Sequence, residues 1–109
     1  MAAALAEYVA KNAIVIFGMK GCPYCVKAVG LAKANWPNDY TYIDVADPAY
    51  PQARSAFAEI ERQYSHDTYP AVFVGSKFIG GCDDTHALHA QGKLAPAVAE
   101  AKAQRASKQ

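Results

Sequence analysis

The apolar residues of this chain fall into two patterns, short continuous runs and stripes with helical spacing. Residues 13–17 form an unbroken run of mainly β-branched and aromatic side chains, which predicts a strand covered on both faces. Residues 40–45 form a second run between turn signals, and residues 71–74 and 77–79 form two more. The pattern therefore predicts four strands.

Helical spacing appears between and around these runs. It predicts an N-terminal helix within residues 1–12, a helix that starts at Pro23 and ends before Trp36, and one from about Pro51 to Tyr64. Two further helices are expected after the last strand. They run from a cap at Asp83 or Asp84 to Gly92, and from residue 94 to about 102, followed by a frayed tail over residues 103–109.

The order of these elements predicts the topology. The first two strands are joined by a helical crossover and should be parallel. Gly75-Ser76 joins the last two strands and suits an antiparallel hairpin with a type II′ turn. We therefore expect an α/β fold with a four-stranded mixed sheet and helices on both faces, and 109 residues fit a single domain over residues 1–109.

Charge and cysteine content narrow the function classes. The formal charge is +1, from 11 basic and 10 acidic residues, which provides no strong field for a nucleic acid or a membrane surface. Three cysteines are too few and too odd in number for a secreted disulfide framework, and we find no signal peptide or membrane span. We expect a monomer in a reducing compartment, most simply the cytoplasm.

The segment Cys22-Pro23-Tyr24-Cys25 carries the candidate chemistry. If Cys22 caps the helix, Pro23 takes the first helical position, where its missing N–H costs nothing. The helix start and the nearby Lys20 should favour a thiolate at Cys22. Cys25, one turn further on, could attack a mixed disulfide formed at Cys22. The motif predicts thiol–disulfide exchange, with Cys22 as the nucleophile and Cys25 as the resolving thiol.

Three segments together resemble the signatures of a dithiol glutaredoxin, in the same order and with similar separation. They are Cys22-Pro23-Tyr24-Cys25, Thr68-Tyr69-Pro70 and Gly80-Gly81-Cys82-Asp83-Asp84. The similarity extends over about residues 14–94 and implies a thioredoxin-like fold. It also implies that glutathione, or a thiol that contains glutathione, serves as co-substrate with no permanently bound cofactor, and that protein disulfides are the partners.

The resemblance further implies how glutathione is held. A cis bond between Tyr69 and Pro70 would present the backbone of Tyr69 to the cysteine residue of glutathione. Gly81 would let the backbone approach the ligand closely. Backbone N–H groups at Cys82 and Asp83 would hold the γ-glutamyl carboxylate, and the Asp83 side chain would take its ammonium group.

The remaining predicted contacts surround this cradle. Tyr24 should form a wall of the groove, and Thr68 should line it as part of the Thr68-Tyr69-Pro70 motif. Lys20 and Arg54 should meet the glycine carboxylate of glutathione. The chain departs from the family pattern at two of these positions. Lys20 stands two residues ahead of the first cysteine where three is usual, and Tyr69 replaces the usual valine and places a ring on the groove rim.

Two alternatives use the same cysteines. Some glutaredoxins bridge an iron–sulfur cluster between subunits, but Pro23 disfavours that function because cluster binders mostly have a smaller residue there. A zinc-stabilised structural domain would need Cys82 and His86 or His89 to complete a site with Cys22 and Cys25. We expect no metal, and we expect Cys82 to act mainly through its backbone, with its thiol a secondary site of modification.

Overall fold

A computed structural model describes residues 3–107 of the chain. Within that range the chain forms five helices and four strands. In chain order they are α1 (Ala3–Val9), β1 (Ile14–Gly18), α2 (Pro23–Asn35), β2 (Tyr40–Asp44), α3 (Ala53–Tyr64), β3 (Ala71–Val74), β4 (Lys77–Gly80), α4 (Cys82–Ala90) and α5 (Leu94–Ser107).

The strands form one sheet in the order β2-β1-β3-β4. β1 is parallel to β2 and antiparallel to β3, and β3 is antiparallel to β4, so the predicted mixed four-stranded sheet is confirmed. Every residue of β1 is buried, as its continuous apolar run predicts for a central strand. The C-terminal end of this central strand leads directly into the loop that carries the dithiol.

Side chains alternate along β1 and supply two separate cores, one on each face of the sheet. Val15 and Phe17 point to the face covered by α1 and α3. Ile14 and Ile16 point to the face covered by α2 and α5. Helices therefore lie on both faces, as the element order predicts. None of the helices within residues 3–107 combines the length and apolar character needed to cross a lipid bilayer.

The ends of the chain differ from the sequence prediction. α1 stops at Val9, short of the predicted boundary at residue 12, and residues 1–2 lie outside the described range. The frayed tail predicted from residue 103 is wrong for residues 103–107, because α5 continues to Ser107. The Arg105 guanidinium donates to the carbonyl oxygens of Ala10, at 2.5 Å, and Lys11, at 3.2 Å, which anchors this last turn to the end of α1.

Two local predictions about turns are also wrong. The Gly75-Ser76 turn has positive φ at both residues, 59° and 69°, which is the pattern of a type I′ turn and not of type II′. α4 is capped by Gly81, and neither Asp83 nor Asp84 is its N-cap. The Asp84 carboxylate instead accepts the Gly81 N–H at 3.0 Å, from the third position inside the helix.

Candidate active site

The dithiol lies where β1 passes into α2. Cys22 is the N-cap of α2, Pro23 takes the first turn, and the Cys22 sulfur accepts the backbone N–H of Cys25 at 3.2 Å. Gly21, with φ of +84°, makes the turn that brings the chain into the helix. The predicted helix cap is therefore confirmed, and the Cys22 sulfur receives one of the otherwise unpaired N–H groups of the helix start.

The two thiols differ in their surroundings. Cys22 is half-buried, whereas Cys25 is only 2% exposed. Burial raises the pKa of the Cys25 thiol from 9.0 to about 12, and its hydrogen bond with Cys22 adds to the rise. Cys25 is consequently a protonated thiol near neutral pH. Cys22 is the sulfur that an incoming disulfide can reach.

The segment before β3 faces Cys22 across a narrow gap. The Tyr69-Pro70 peptide bond is cis, as the resemblance implied. The Cys22 sulfur lies 3.7 Å from the Tyr69 carbonyl oxygen. The Tyr69 ring packs on Phe57 of α3, with ring centroids 4.5 Å apart. Its side chain therefore turns toward α3 while its backbone borders the nucleophile.

A groove of about 540 Å³ extends from this point along the start of α4. Seven of the predicted ligand-binding residues line it, together with two that the sequence analysis missed. The predicted residues are Tyr24, Thr68, Tyr69, Pro70, Gly81, Cys82 and Asp83, and the missed ones are His66 and Asp84. Three segments, the first turn of α2, the loop before β3 and the start of α4, thus contribute to one concave surface beside Cys22.

The two missed residues hold the groove together. His66 Nε2 lies 3.0 Å from the Pro70 carbonyl oxygen, and its ring packs edge-on against Phe78. No local pattern marks His66 as a groove residue, because its place depends on Phe78 of β4 and on the folded path of the loop to Pro70. Asp84 did carry a signal, since an acidic residue three positions after the N-cap can accept the backbone N–H of the N-cap residue, which is one half of a capping box.

The two predicted cations lie away from this groove. Lys20 lines a second cleft of about 330 Å³ on the opposite side of the dithiol, which Cys22, Cys25 and Tyr42 also line. Arg54 is exposed on the first turn of α3 and lines neither cleft. Burial raises the pKa of the Tyr69 hydroxyl and the nearby Arg54 cation opposes that rise, so Arg54 lies in the neighbourhood of that hydroxyl.

The third cysteine is poorly placed for redox chemistry. Cys82, the first residue of α4, is 6% exposed. Burial raises the pKa of its thiol, and the neighbouring Asp83 carboxylate raises it further. The Cys82 thiol is therefore less ionised than an ordinary cysteine, which argues against reactivity at this sulfur.

The zinc set considered from the sequence does not come together. Among residues 3–107, no group of three or more His, Cys, Asp or Glu side chains is arranged to hold a metal ion. His86 is exposed, and His89 packs edge-on against the ring of Trp36. The structure therefore does not support the zinc-stabilised alternative.

Comparison with known proteins gives a consistent result. The glutaredoxin family model matches residues 14–79. A glutaredoxin of Ricinus communis is 38% identical over 98 residues, which cover 89% of this chain and 92% of that protein. The solution structure of the dithiolic glutaredoxin 2-C-Grx1 of Trypanosoma brucei brucei aligns with a TM-score of 0.77 and 35% identity, covering 90% of this chain and 97% of that one. A buckwheat glutaredoxin–glutathione complex aligns with a TM-score of 0.76 and 29% identity, covering 91% and 90%.

Proposed function

Because this chain belongs to the glutaredoxin family, whose chemistry is thiol–disulfide exchange, we propose that it is a glutathione-dependent oxidoreductase that reduces glutathione mixed disulfides and protein disulfides. One observation supports this most strongly. A half-buried sulfur, Cys22, caps a helix beside a fully buried second thiol, Cys25, and borders a groove large enough for a tripeptide.

In the first step the Cys22 thiolate attacks a disulfide between glutathione and a substrate cysteine. A bond forms between the Cys22 sulfur and the glutathione sulfur, the original disulfide breaks, and the substrate leaves as a thiolate that takes a proton from water. The N–H of Cys25, 3.2 Å from the Cys22 sulfur, supports the ionised form of the nucleophile before attack.

The second step divides into two routes. In the monothiol route, a second glutathione attacks the sulfur of the bound glutathione, which releases oxidised glutathione and returns Cys22 to its thiolate. In the dithiol route, which a protein disulfide enters when Cys22 has bonded to one of its two sulfurs and released the other as a thiolate, Cys25 loses its proton and attacks Cys22, which expels the bound thiol and leaves a Cys22–Cys25 disulfide. Two glutathione molecules then reduce that disulfide and become oxidised glutathione, so electrons balance in both routes.

The groove supports binding of the glutathionyl group. The backbone of Tyr69 lies beside the Cys22 sulfur, where the cysteine residue of glutathione must sit during exchange. The first turn of α4 begins at the groove and its free N–H groups suit the γ-glutamyl carboxylate. The Asp83 carboxylate, exposed at the same turn, suits the adjacent ammonium group.

The glycine end of glutathione has no cation among the residues that line the groove. Lys20 and Arg54 stay predictions for this contact, and each would have to reach in from a neighbouring surface. Because no lysine or arginine among residues 3–107 lines the groove, a glutathione-containing thiol with an extended glycine end also fits the proposal. We further propose that the chain works as a monomer in a reducing compartment such as the cytoplasm, where glutathione can restore the dithiol.

Serine substitutions of the two cysteines test this division of labour. Cys22→Ser should abolish both activities in a glutathione-coupled assay, because no nucleophile remains. Cys25→Ser should keep reduction of a glutathionylated peptide and lose most reduction of a protein disulfide, because only the dithiol route needs a resolving thiol. Circular dichroism of each variant checks the fold. Equal loss of both activities in both variants would contradict the proposal.

A further inference from the structure

A tyrosine of β2 reaches the buried thiol on the side of the dithiol away from the glutathione groove. Tyr42 pairs with Ile16 across the parallel β1–β2 ladder, and Gly18 is the next residue of β1 on that face. A Cβ atom on Gly18 would lie 2.6 Å from the Tyr42 hydroxyl oxygen and 2.9 Å from the Cys25 sulfur. The hydroxyl and the thiol therefore share the space that the missing side chain of Gly18 leaves open.

The Tyr42 hydroxyl is a hydrogen-bond donor at this position. Burial raises its pKa from 10.0 to about 12, and negative charge at Cys25, Asp44 and Cys22 adds to the rise. Lys20 is the basic residue that lines the same cleft as Tyr42. Since the phenol keeps its proton at any ordinary pH, it can donate to a neighbouring sulfur but cannot remove a proton from it.

We propose that the Tyr42 hydroxyl donates a hydrogen bond to the Cys25 sulfur whenever that sulfur is a thiolate, and thereby promotes the dithiol route and not the monothiol route. The inference rests on the proposed function, because it assigns a role within the second step of that reaction. It does not involve the glutathione groove, which Tyr42 does not line.

The role follows from what Cys25 must do. To resolve a mixed disulfide, Cys25 gives its S–H proton to water or to the departing thiolate, and its sulfur then forms the bond to Cys22. In the reverse direction, an incoming thiolate bonds to the Cys22 sulfur and Cys25 leaves as the thiolate, which a proton then neutralises. Tyr42 keeps its own proton throughout and stabilises the negative sulfur in both directions.

Cys25 has few other sources of such stabilisation. Its burial and its closeness to the Cys22 sulfur both raise the pKa of its thiol and so disfavour the thiolate. A backbone hydrogen bond with Met19 lowers that pKa. A second donor from Tyr42 would raise the thiolate fraction further. A hydrogen bond to a charged group can change an ionisation equilibrium by about tenfold or more, and part of that gain is offset because a less basic thiolate is a weaker nucleophile.

Tyr42→Phe tests the inference, because it removes only the hydroxyl. The expected result is a roughly three- to tenfold slower reduction of a protein disulfide, with unchanged reduction of a glutathionylated peptide. Tyr40→Phe is the matched control, because it removes the same hydroxyl group from the same strand and face. Tyr40 does not line the cleft beside the dithiol. The control should leave both activities unchanged.

Two further readouts separate this role from a purely structural one. The mixed disulfide between Cys22 and the protein substrate, trapped by acid quench and measured by mass spectrometry, should accumulate in Tyr42→Phe above its level in the wild-type protein. In a Cys25→Ser background, Tyr42→Phe should have no effect on the remaining activity, because the sulfur it serves is gone.

The outcomes are distinguishable. If the wild-type protein reduces neither substrate, the proposed function fails. If the wild-type protein is active and Tyr42→Phe matches Tyr40→Phe on the protein disulfide, the role of Tyr42 is wrong while the proposed function stands. The role of Tyr42 is equally overturned if Tyr42→Phe slows both substrates alike, or if its effect persists in the Cys25→Ser background.

Discussion

At the scale of single residues, two cysteines one helical turn apart differ in accessibility because of where each lies on α2. Cys22 caps α2 and stays partly accessible, whereas Cys25 is buried against the sheet. The N–H that reaches the Cys22 sulfur comes from Cys25 itself, so the backbone of the resolving residue supports the nucleophile. This asymmetry is what lets one sulfur attack while the other waits in its protonated form.

The buried thiol should make stability depend on alkaline pH. Cys25 titrates near 9.0 in the unfolded chain but at about 12 when folded. Between these values the unfolded chain has released the proton and the folded chain has not, so the free energy of unfolding falls as pH rises from about 9 to about 12. The full contribution of this group is present below the unfolded value.

Denaturant unfolding of the reduced protein at a series of alkaline pH values checks this expectation. The raised pKa of Tyr42 also makes the free energy of unfolding fall as pH rises, so part of the pH dependence should remain when Cys25 is replaced. Cys25→Ser should show a shallower decline than the wild-type protein, by at most about 1.4 kcal/mol per pH unit, because one titrating group has been removed. Parallel curves for the two proteins would show that burial of Cys25 does not raise its pKa.

Sequence analysis identified the residues whose roles are local. Cys22 as helix cap and Pro23 in the first turn follow from spacing within four residues, and the structure confirms both. His66 could not be found this way, because its place at the groove depends on Phe78 of β4 and on the folded path of the loop to Pro70. Arg54 was assigned by its sign of charge, yet its place on α3 keeps it outside the groove.

At the scale of elements, the redox centre depends on three of them meeting at one glycine. β1 brings Gly18 to the end of the central strand, α2 sets Cys25 over it, and β2 extends Tyr42 across it. A side chain at position 18 would compete with both neighbours. The close packing of α2 on the C-terminal end of β1 therefore requires glycine at position 18. The requirement is one of space, since the backbone of Gly18 is not in the left-handed region.

Gly18→Ala should destabilise the fold and disturb the dithiol. Its new Cβ would lie within 3 Å of Tyr42 and Cys25, at 2.6 Å and 2.9 Å, so one of them must shift, at a cost of about 1–3 kcal/mol in unfolding free energy. Denaturant titration measures that loss. Gly30→Ala in the middle of α2 is the control, since nothing lies within 4 Å of its Cβ position and alanine is the better helix former.

The control should gain about 0.5–1 kcal/mol, so the two substitutions are expected to change stability in opposite directions. Gly18→Ala should also slow reduction of a protein disulfide, because the displaced group is either the resolving thiol or its neighbour. If Gly18→Ala proves as stable and as active as the wild-type protein, the site has more room than the structure indicates.

Element types were predictable because strands and helices have different apolar periods. The sheet topology also followed, since a helical crossover predicts parallel strands and a two-residue turn predicts a hairpin. The end of α5 was not predictable, because Arg105 is held by carbonyl groups of residues 10 and 11, more than ninety positions away. The type of the Gly75-Ser76 turn was missed because Ser76 adopts a positive φ that serine seldom takes.

At the scale of the whole molecule, two clefts flank the dithiol and have different lining residues. One side of the dithiol opens to the groove formed by the Tyr69-Pro70 segment and the start of α4. The other side opens to the cleft in which Tyr42 meets Cys25. In the proposed function the groove receives the glutathionyl group and the cleft serves the resolving thiol. Recognition and resolution then occur on opposite sides of the half-buried Cys22 sulfur.

The central claim is that Cys22 takes glutathione, and not the substrate, from a mixed disulfide. Mixing the Cys25→Ser variant with a glutathionylated peptide and quenching with acid traps the first intermediate for mass spectrometry. We predict one glutathione attached at Cys22, with the peptide released as a free thiol and Cys82 unmodified. Attachment of the peptide at Cys22, a glutathione adduct at Cys82, or no adduct at all would contradict the account.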